Sequence, residues 1–304
     1  MSLKTDSLGP QATQEKNGAA LSSVIAAIGL TSLKIIVGIF TGSLGILAEA
    51  AHSALDLVAA LMTLFAVHVS GKPADDRHRY GHGKIENLSA LFETLLLLAT
   101  CAWIIHEAID RLFYHPVKVE ASIWAFIVMA ASIVIDATRS RVLYKAARKY
   151  NSQALEADAL HFSTDIWSSS VVILGLILLK VSEFYPKLAW LEKADAVAAL
   201  GVAVIVIYVS FQLGYRTLMG LLDTAPIGSV EKVKAIAESI PGVIDCHDVR
   251  IRSSGPQLFL DVHILTDGNQ TLKRAHKLTE IIEAAIRAEY PEADVIVHPE
   301  PADK

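Results

Sequence analysis

Six long apolar blocks constrain this chain more than any other feature. They lie near Ala19 to Phe40, Leu44 to Val69, Leu88 to Phe113, Ile123 to Ala147, Leu155 to Leu179 and Ala194 to Leu213. A helix rises about 1.5 Å per residue, so a block of roughly 20 apolar residues crosses the hydrocarbon core of a bilayer. A hydrophobic share of 53%, above the roughly 45–50% of soluble domains, agrees with that reading. After Pro226 the blocks stop, and the composition turns charged and mixed as far as Lys304. About 75 residues are enough for a small core of their own. The expectation is an α-helical membrane protein with six transmembrane helices over residues 19–220. A soluble α+β domain would follow over 226–304, and a disordered cytoplasmic leader would precede it over 1–18.

Orientation follows from Lys and Arg in the short loops, which stay on the cytoplasmic side. Placing the N-terminus inside puts Lys4, Lys16, Lys72, Arg77, Arg79, Lys84, Arg139, Arg141, Lys145, Arg148 and Lys149 there. The opposite loops hold only Arg111, Lys118, Lys180, Lys187 and Lys193. An even number of crossings then makes the C-terminus cytoplasmic as well, in a multi-pass protein of the plasma (inner) membrane. No secretory signal pattern is visible at the start. Cys101 and Cys246, the only cysteines, have no obvious partner, so neither a disulfide framework nor a thiolate zinc site is indicated.

Within the second block, "HSALD" places His52 and Asp56 four residues apart, and in the fifth "HFSTD" repeats the spacing with His161 and Asp165. Residues at i and i+4 share a helical face. Two such helices facing each other can converge on one ion. Two imidazoles and two carboxylates suit tetrahedral Zn²⁺, and the two aspartates offset its charge in a low-dielectric bundle. Ionisable residues in a membrane mark an ion pathway. Ala50, Ala51, Ser53, Ala54, Ser163, Thr164 and Ser168 are small enough to let the helices approach closely. A single pair could equally be an interhelical hydrogen bond, but the matched repeat favours the ion.

The chain resembles the cation diffusion facilitator family, in its bacterial zinc-transporter type. "HSALD", "HFSTD", "TGSLGILAEA", the loop "KPADDRHRYGHGKIE" and the tail carry the likeness, from about residue 19 to 300. Relatives with Asp in place of the first His resemble less selective exporters, so His52 points to the zinc-preferring kind. The resemblance implies an auxiliary metal site at Asp75, His78 and His82, and a salt bridge from Lys84 to Asp223. It also implies a metallochaperone-like tail that forms a homodimer, with metal-binding histidines His247, His263, His276 and His298. One departure stands out. Where the family has a bridging aspartate in the last strand this chain has Glu300, so one or two tail metals both stay open.

The tail itself reads as a helix near Val230 to Ile240, strands at Ile244 to Arg252 and Gln257 to Thr266, a helix over Thr271 to Glu289, and a strand over Asp294 to His298. This αββαβ order indicates a two-layer unit. Alternation puts Phe259, Asp261 and His263 on one face of their strand. Enzymatic readings fail: "GHGK" lacks the first glycine of a P-loop, and "HEAID" lacks the second histidine of a zinc protease. Four protein ligands would also leave no open position for a catalytic water. Lys34 is expected to snorkel or to pair with Glu49, Trp103 and Tyr114 to anchor the outer interface, and Asp136 with Arg139 to end the fourth helix. Asp158 either lines the inner entrance or faces water.

The functional expectation is a Zn²⁺/H⁺ antiporter that moves zinc out of the cytoplasm and holds no prosthetic group. Zinc serves as substrate and as a regulatory or structural ion. Protons, the bilayer and a second copy of the chain are the partners, and nucleic acid is not. The alternatives are export of Co²⁺, Cd²⁺, Mn²⁺ or Fe²⁺, or a membrane sensor that binds metal without moving it.

Overall fold

The structure is a computed structural model, and it describes residues 10–113, 123–184, 194–291 and 293–302. Six long helices come first: α1 (Pro10–Thr41), α2 (Leu44–Ser70), α3 (Lys84–Phe113), α4 (Ile123–Tyr150), α5 (Gln153–Phe184) and α6 (Ala194–Leu221). Four of them contain stretches long and apolar enough to cross a membrane: Gln11–Thr41, Glu49–Ser70, Lys84–Asp110 and Leu200–Leu221. In α4 and α5 the buried polar residues Asp136, Arg139, Asp158 and His161 dilute the apolar run. Those charges find partners inside the bundle. The Arg139 guanidinium donates to Asp136 at 3.2 Å and lies 3.4 Å over the Phe162 ring.

α1 packs on α2 and α4, α4 on α5, α3 on α6 and α5, and α2 reaches both α3 and α5. Small residues set the closest approaches, as membrane packing favours. A Cβ on Gly214 of α6 would come within 2.9 Å of Thr94 on α3. The turn from α1 to α2 uses Gly42 at φ +63°, and Ser43 then caps α2 by accepting from the Ile46 amide.

The first helix corrects one expectation. It begins at Pro10, so residues 10–18 are helical rather than part of a disordered leader; proline suits a first helical position because its missing N–H costs nothing there. Lys16 is buried and pairs with Glu86 of α3, which also accepts from Ser70 (2.6 Å) and from Ser152. A charge buried this deeply needs such a fully bonded partner. Residues 1–9 lie outside the described residues, as do Tyr114, Lys118, Lys187 and Lys193. Trp103 is exposed on the bundle surface, and Lys34 reaches Glu49 at 3.2 Å and Ser53 at 2.7 Å.

The tail folds as α7 (Ser229–Glu238), β1 (Asp245–Ser254), β2 (Gln257–Asp267), α8 (Leu272–Glu289) and β3 (Ala293–Ala302). This is the expected αββαβ order. β2 is central, antiparallel to β1 and parallel to β3. Leu260, Val262 and Ile264 point from β2 into a core with Val233, Ala237, Leu278, Ile282, Ile286 and Val295. The opposite sheet face carries Phe259, Asp261 and His263, as alternation requires.

That open face meets the α2–α3 loop. Tyr80 stands edge-on to Phe259 with ring centroids 5.1 Å apart, and the Arg252 guanidinium lies 3.8 Å over the Tyr80 ring. The Lys84 to Asp223 salt bridge forms at 2.8 Å.

Candidate metal centre

α2 and α5 each present one His and one Asp on the face they share, since i and i+4 residues lie one above the other. The His161 Nε2 to Asp56 Oδ1 separation is 3.2 Å, and His161 Nε2 to Asp165 Oδ2 is 3.7 Å. His52 Nε2 lies 3.9 Å from Asp56 Oδ1 and also 3.9 Å from Asp165 Oδ1. Metal–ligand bonds near 2.0–2.2 Å put tetrahedral ligand atoms about 3.3–3.6 Å apart. The observed spread brackets that value. Asp56, His161 and Asp165 have ligand atoms within 4.8 Å of one another, and His52 stands beside them without joining that group. Asp56 and His161 are buried, while a third of the His52 side chain is exposed. His52 is thus the most open member of the set.

The loop brings Asp75, His78 and His82 together, with ligand atoms within 4.8 Å of one another. Asp75 accepts from the backbone amides of Arg77 (2.9 Å) and His78 (2.6 Å), which folds the loop around its carboxylate. The His78 amide, with smaller contributions from Arg77 and the His78 ring, holds that carboxyl below its ordinary range. His82 Nε2 is 3.4 Å from Asp75 Oδ2, and the two imidazoles sit 4.4 Å apart.

In the tail, strand register aligns His247 with His263 and His263 with His298 across the sheet. A β-bulge between His247 and Arg250, with Asp248 at φ +47°, makes this alignment. It adds one residue on β1, so His247 and Arg250 share a face although they are three apart. Glu300 reaches back over the row. His263 Nδ1 donates to its Oε1 at 2.8 Å, and its Oε2 lies 3.3 Å from His247 Nε2. The His263 hydrogen bond holds the Glu300 carboxyl below its usual range. The longer glutamate therefore spans two histidines, and His298 Nε2 stands 3.8 Å from Glu300.

His276 does not join this cluster. It lies exposed on α8, 3.7 Å from Glu280, and α8 packs against the other face of the sheet. In place of the expected four-histidine group, one chain brings His247, His263 and Glu300 together with ligand atoms within 4.8 Å of one another, and His298 stands beside Glu300 outside that group.

Sequence reasoning missed Glu93, a buried acid on α3 bonded to Thr63 of α2. Its signal was there: one acid in the apolar run "LFETLLLLAT". Asp158 was left between two environments and is fully buried.

These features define a class: a helical membrane protein with a buried group of potential metal ligands between two helices and a second such group in its α+β tail. Residues 20–222 match the cation efflux transmembrane domain, and residues 227–302 match the cytoplasmic domain of cation efflux proteins. The chain belongs to the cation efflux (cation diffusion facilitator) family. It is 33% identical over 286 residues to the cation-efflux pump FieF of Cronobacter sakazakii, covering 93% of this chain and 92% of that one. It is 32% identical over 299 residues to FieF of Yersinia enterocolitica, covering 97% and 95%. A solved CzrB chain matches 26% of this chain and 99% of its own length, at 27% identity and a TM-score of 0.25. The protein is accordingly a membrane-embedded cation-efflux transporter.

Proposed function

We propose that the protein exports Zn²⁺ from the cytoplasm in exchange for protons, with His52, Asp56, His161 and Asp165 as the transported-ion site. The observation that carries this reading is that each of two imidazoles stands 3.2–3.9 Å from both of two carboxylates. An N₂O₂ set suits zinc, and two carboxylates offset its charge. Such ligands bind metal only when unprotonated, so metal and protons compete for one site. Alternating exposure of that site lets an inward proton gradient drive the cation outward. The basic residues of the loops support a topology with both termini on the cytoplasmic side of a bacterial plasma membrane. Zinc at His247, His263, His298 and Glu300, and at Asp75, His78 and His82, is regulatory and supports a homodimer through the tail.

Proteoliposomes under a pH gradient test this. Zinc uptake should fall to background in Asp56→Ala and Asp165→Ala, and on collapsing the gradient in the unmodified protein. Uptake that survives all three refutes the proposal.

A second reading rests on the open position of His52. Without that ligand, Asp56, His161 and Asp165 form an oxygen-rich set that fits harder cations such as Mn²⁺ or Fe²⁺. Uptake of several divalent ions compared before and after His52→Asp separates the two. Zinc preference should be lost with the imidazole, and an unchanged order of preference favours the second reading.

A further inference from the structure

The six long helices fall into two packed groups. α1 packs on α2 and α4, and α4 on α5, while α3 and α6 pair with each other. Inside the first group apolar contacts seal the tail-side half, with Ala20, Val67, Leu143 and Leu155 all 0% exposed. Packing that close leaves no path for an ion. The seam between the two groups is built differently. Among the described residues its buried apolar cluster is Ala90 of α3, Ala157 of α5 and Leu213 of α6, with Leu160 against it.

At the tail end of this seam polar groups close the gap. Glu86, in the first turn of α3, is wholly buried, and both of its oxygens are bonded. Oε1 accepts from Lys16 of α1 and, at 2.6 Å, from Ser70 of α2; Oε2 accepts from Ser152, the residue before α5. Lys16 and Ser152 are each 1% exposed. Beside this hub Asn87 of α3 donates to Gln153 of α5 at 3.1 Å, and Arg216 of α6 pairs with Glu156 of α5 at 2.6 Å. Every one of these contacts runs from one helix group to the other.

Their position relates them to the metal ligands. Ser70 lies 14 residues after Asp56, about 21 Å along α2, and Ser152 lies nine before His161, about 13.5 Å. The hub thus ties to α3 the tail-side ends of both helices that carry a His and an Asp. A cavity of about 1170 Å³ opens between the seam and the tail, lined by Gln153, Glu156, Leu160, Leu213 and Arg216 among others. Leu160 directly precedes His161, so parting the seam joins this cavity to the ion centre.

A buried ion pair adds little net stability over apolar side chains of the same volume, and its best-attested use is to select one of several arrangements. It also separates at lower cost than an apolar contact where water can reach it, because Lys, Glu and Ser exchange protein partners for water.

We propose that Glu86, with Lys16, Ser70 and Ser152, is a latch that shuts the tail-side end of the seam and releases when the cation passes between the cavity and the ion centre. This rests on reading His52, Asp56, His161 and Asp165 as the cargo site. The Glu156–Arg216 pair is the weaker, outer part of the same closure, since both of its side chains are partly exposed.

The test uses the full-length chain in proteoliposomes, carrying Cys246→Ser and Ala157→Cys, with Cys101 kept as an internal control. Ala157 belongs to the seam cluster and is 0% exposed. Cys101 is 1% exposed and stands about 25 Å along α3 from Lys84. A membrane-impermeant maleimide on the tail side is allowed to react, and mass spectrometry reads each thiol. Lys16→Met and Glu86→Gln should each speed modification of the introduced thiol at least about tenfold, because breaking a buried ion pair strongly disfavours the arrangement that holds it. Cys101 should stay within about twofold. Glu156→Gln should speed the introduced thiol no more than about fivefold, as a partly exposed pair is worth less. Ser70→Ala leaves both charges in place and should give about threefold; it decides if neither charge variant folds. With the hub intact, zinc uptake should speed the same thiol at least about threefold over the resting protein. An unchanged rate in the folded variants, an equal rise at Cys101, or uptake without acceleration overturns the proposal. Asp165→Asn should abolish uptake and its acceleration while the Lys16→Met effect persists; if uptake continues in Asp165→Asn, the cargo-site reading fails and not this one.

Discussion

Gly83, at the end of the α2–α3 loop, has no room for any side chain. A Cβ there would lie 2.1 Å from the Ser254 carbonyl oxygen and 2.4 Å from its carbon, where ordinary contact starts at 3.4 Å. Gly83→Ala therefore has to open the seam between loop and sheet by about 1.3 Å, the difference between those two oxygen distances. Both partners are backbone, so neither can swing aside as a flexible side chain would. The displacement falls on the Tyr80–Phe259 edge contact and on Arg252 above Tyr80. An aromatic pair contributes about 0.5–1.5 kcal/mol, and an exposed cation–π contact about 0.5–1 kcal/mol. Losing most of both weakens the contact by about 1–2 kcal/mol, roughly a five- to thirtyfold rise in its open population. Hydrogen exchange on the full chain reads this directly. Amides of residues 72–83 and 252–259 should exchange faster while the tail core around Leu260 and Ile282 keeps its protection. Gly29→Ala, with nothing within 4 Å of the added carbon, should leave both segments unchanged. Unaltered protection in Gly83→Ala would refute the reasoning.

Ile282→Ala removes a wholly buried side chain from the tail core and should cost about 2–5 kcal/mol; thermal unfolding of the full chain should show the tail transition moving down and the helical bundle unmoved. Lys84 and Asp223 are partly exposed, so either reversed alone should cost no more than about 1 kcal/mol. Because Asp223 sits at φ +60°, Asp223→Lys adds backbone strain of its own, and the readout is the coupling in a double-mutant cycle: Lys84→Glu with Asp223→Lys should recover transport relative to the sum of the singles. The depressed Glu300 carboxyl stabilises the metal-free tail above its unfolded value, near 4.5, and that contribution is lost as pH falls through the lower folded value. Metal-free protein should thus lose tail stability below about pH 4.5, and Glu300→Gln should flatten that part of the curve; equal slopes in a pH series of melting curves would count against it.

Much of the architecture was legible because it is written in local patterns. Apolar runs of membrane length marked the six helices, and i, i+4 spacing was enough to foresee that α2 and α5 each present a His and an Asp together. In the tail, period-2 alternation identified β2, whose Leu260, Val262 and Ile264 are buried. The helix and strand order followed from the same cues. Where the local pattern ended, so did the reading. The stretch before residue 19 is polar and looked solvated, yet Lys16 is buried against Glu86, seventy positions away. Nothing within "QEKNG" itself announces a partner at that distance.

Long-range geometry also decided which ligands meet. Alternation alone would set His247 and Arg250 on opposite faces of β1; the bulge at Asp248 places them on the same one and so lines His247 up with His263. His276 belongs to the same set of tail histidines, but it sits on a helix that packs on the far side of the sheet, so a shared residue type gave no shared site. Glu93 shows the reverse case. Alone in an apolar helix it carries no spacing partner of its own, and its neighbours Thr63 and Asp158 come from two other helices. A buried acid with one bonded and one free oxygen becomes informative only when the bundle is assembled. There it ties α3 through Thr63 to α2, the helix that presents His52 and Asp56.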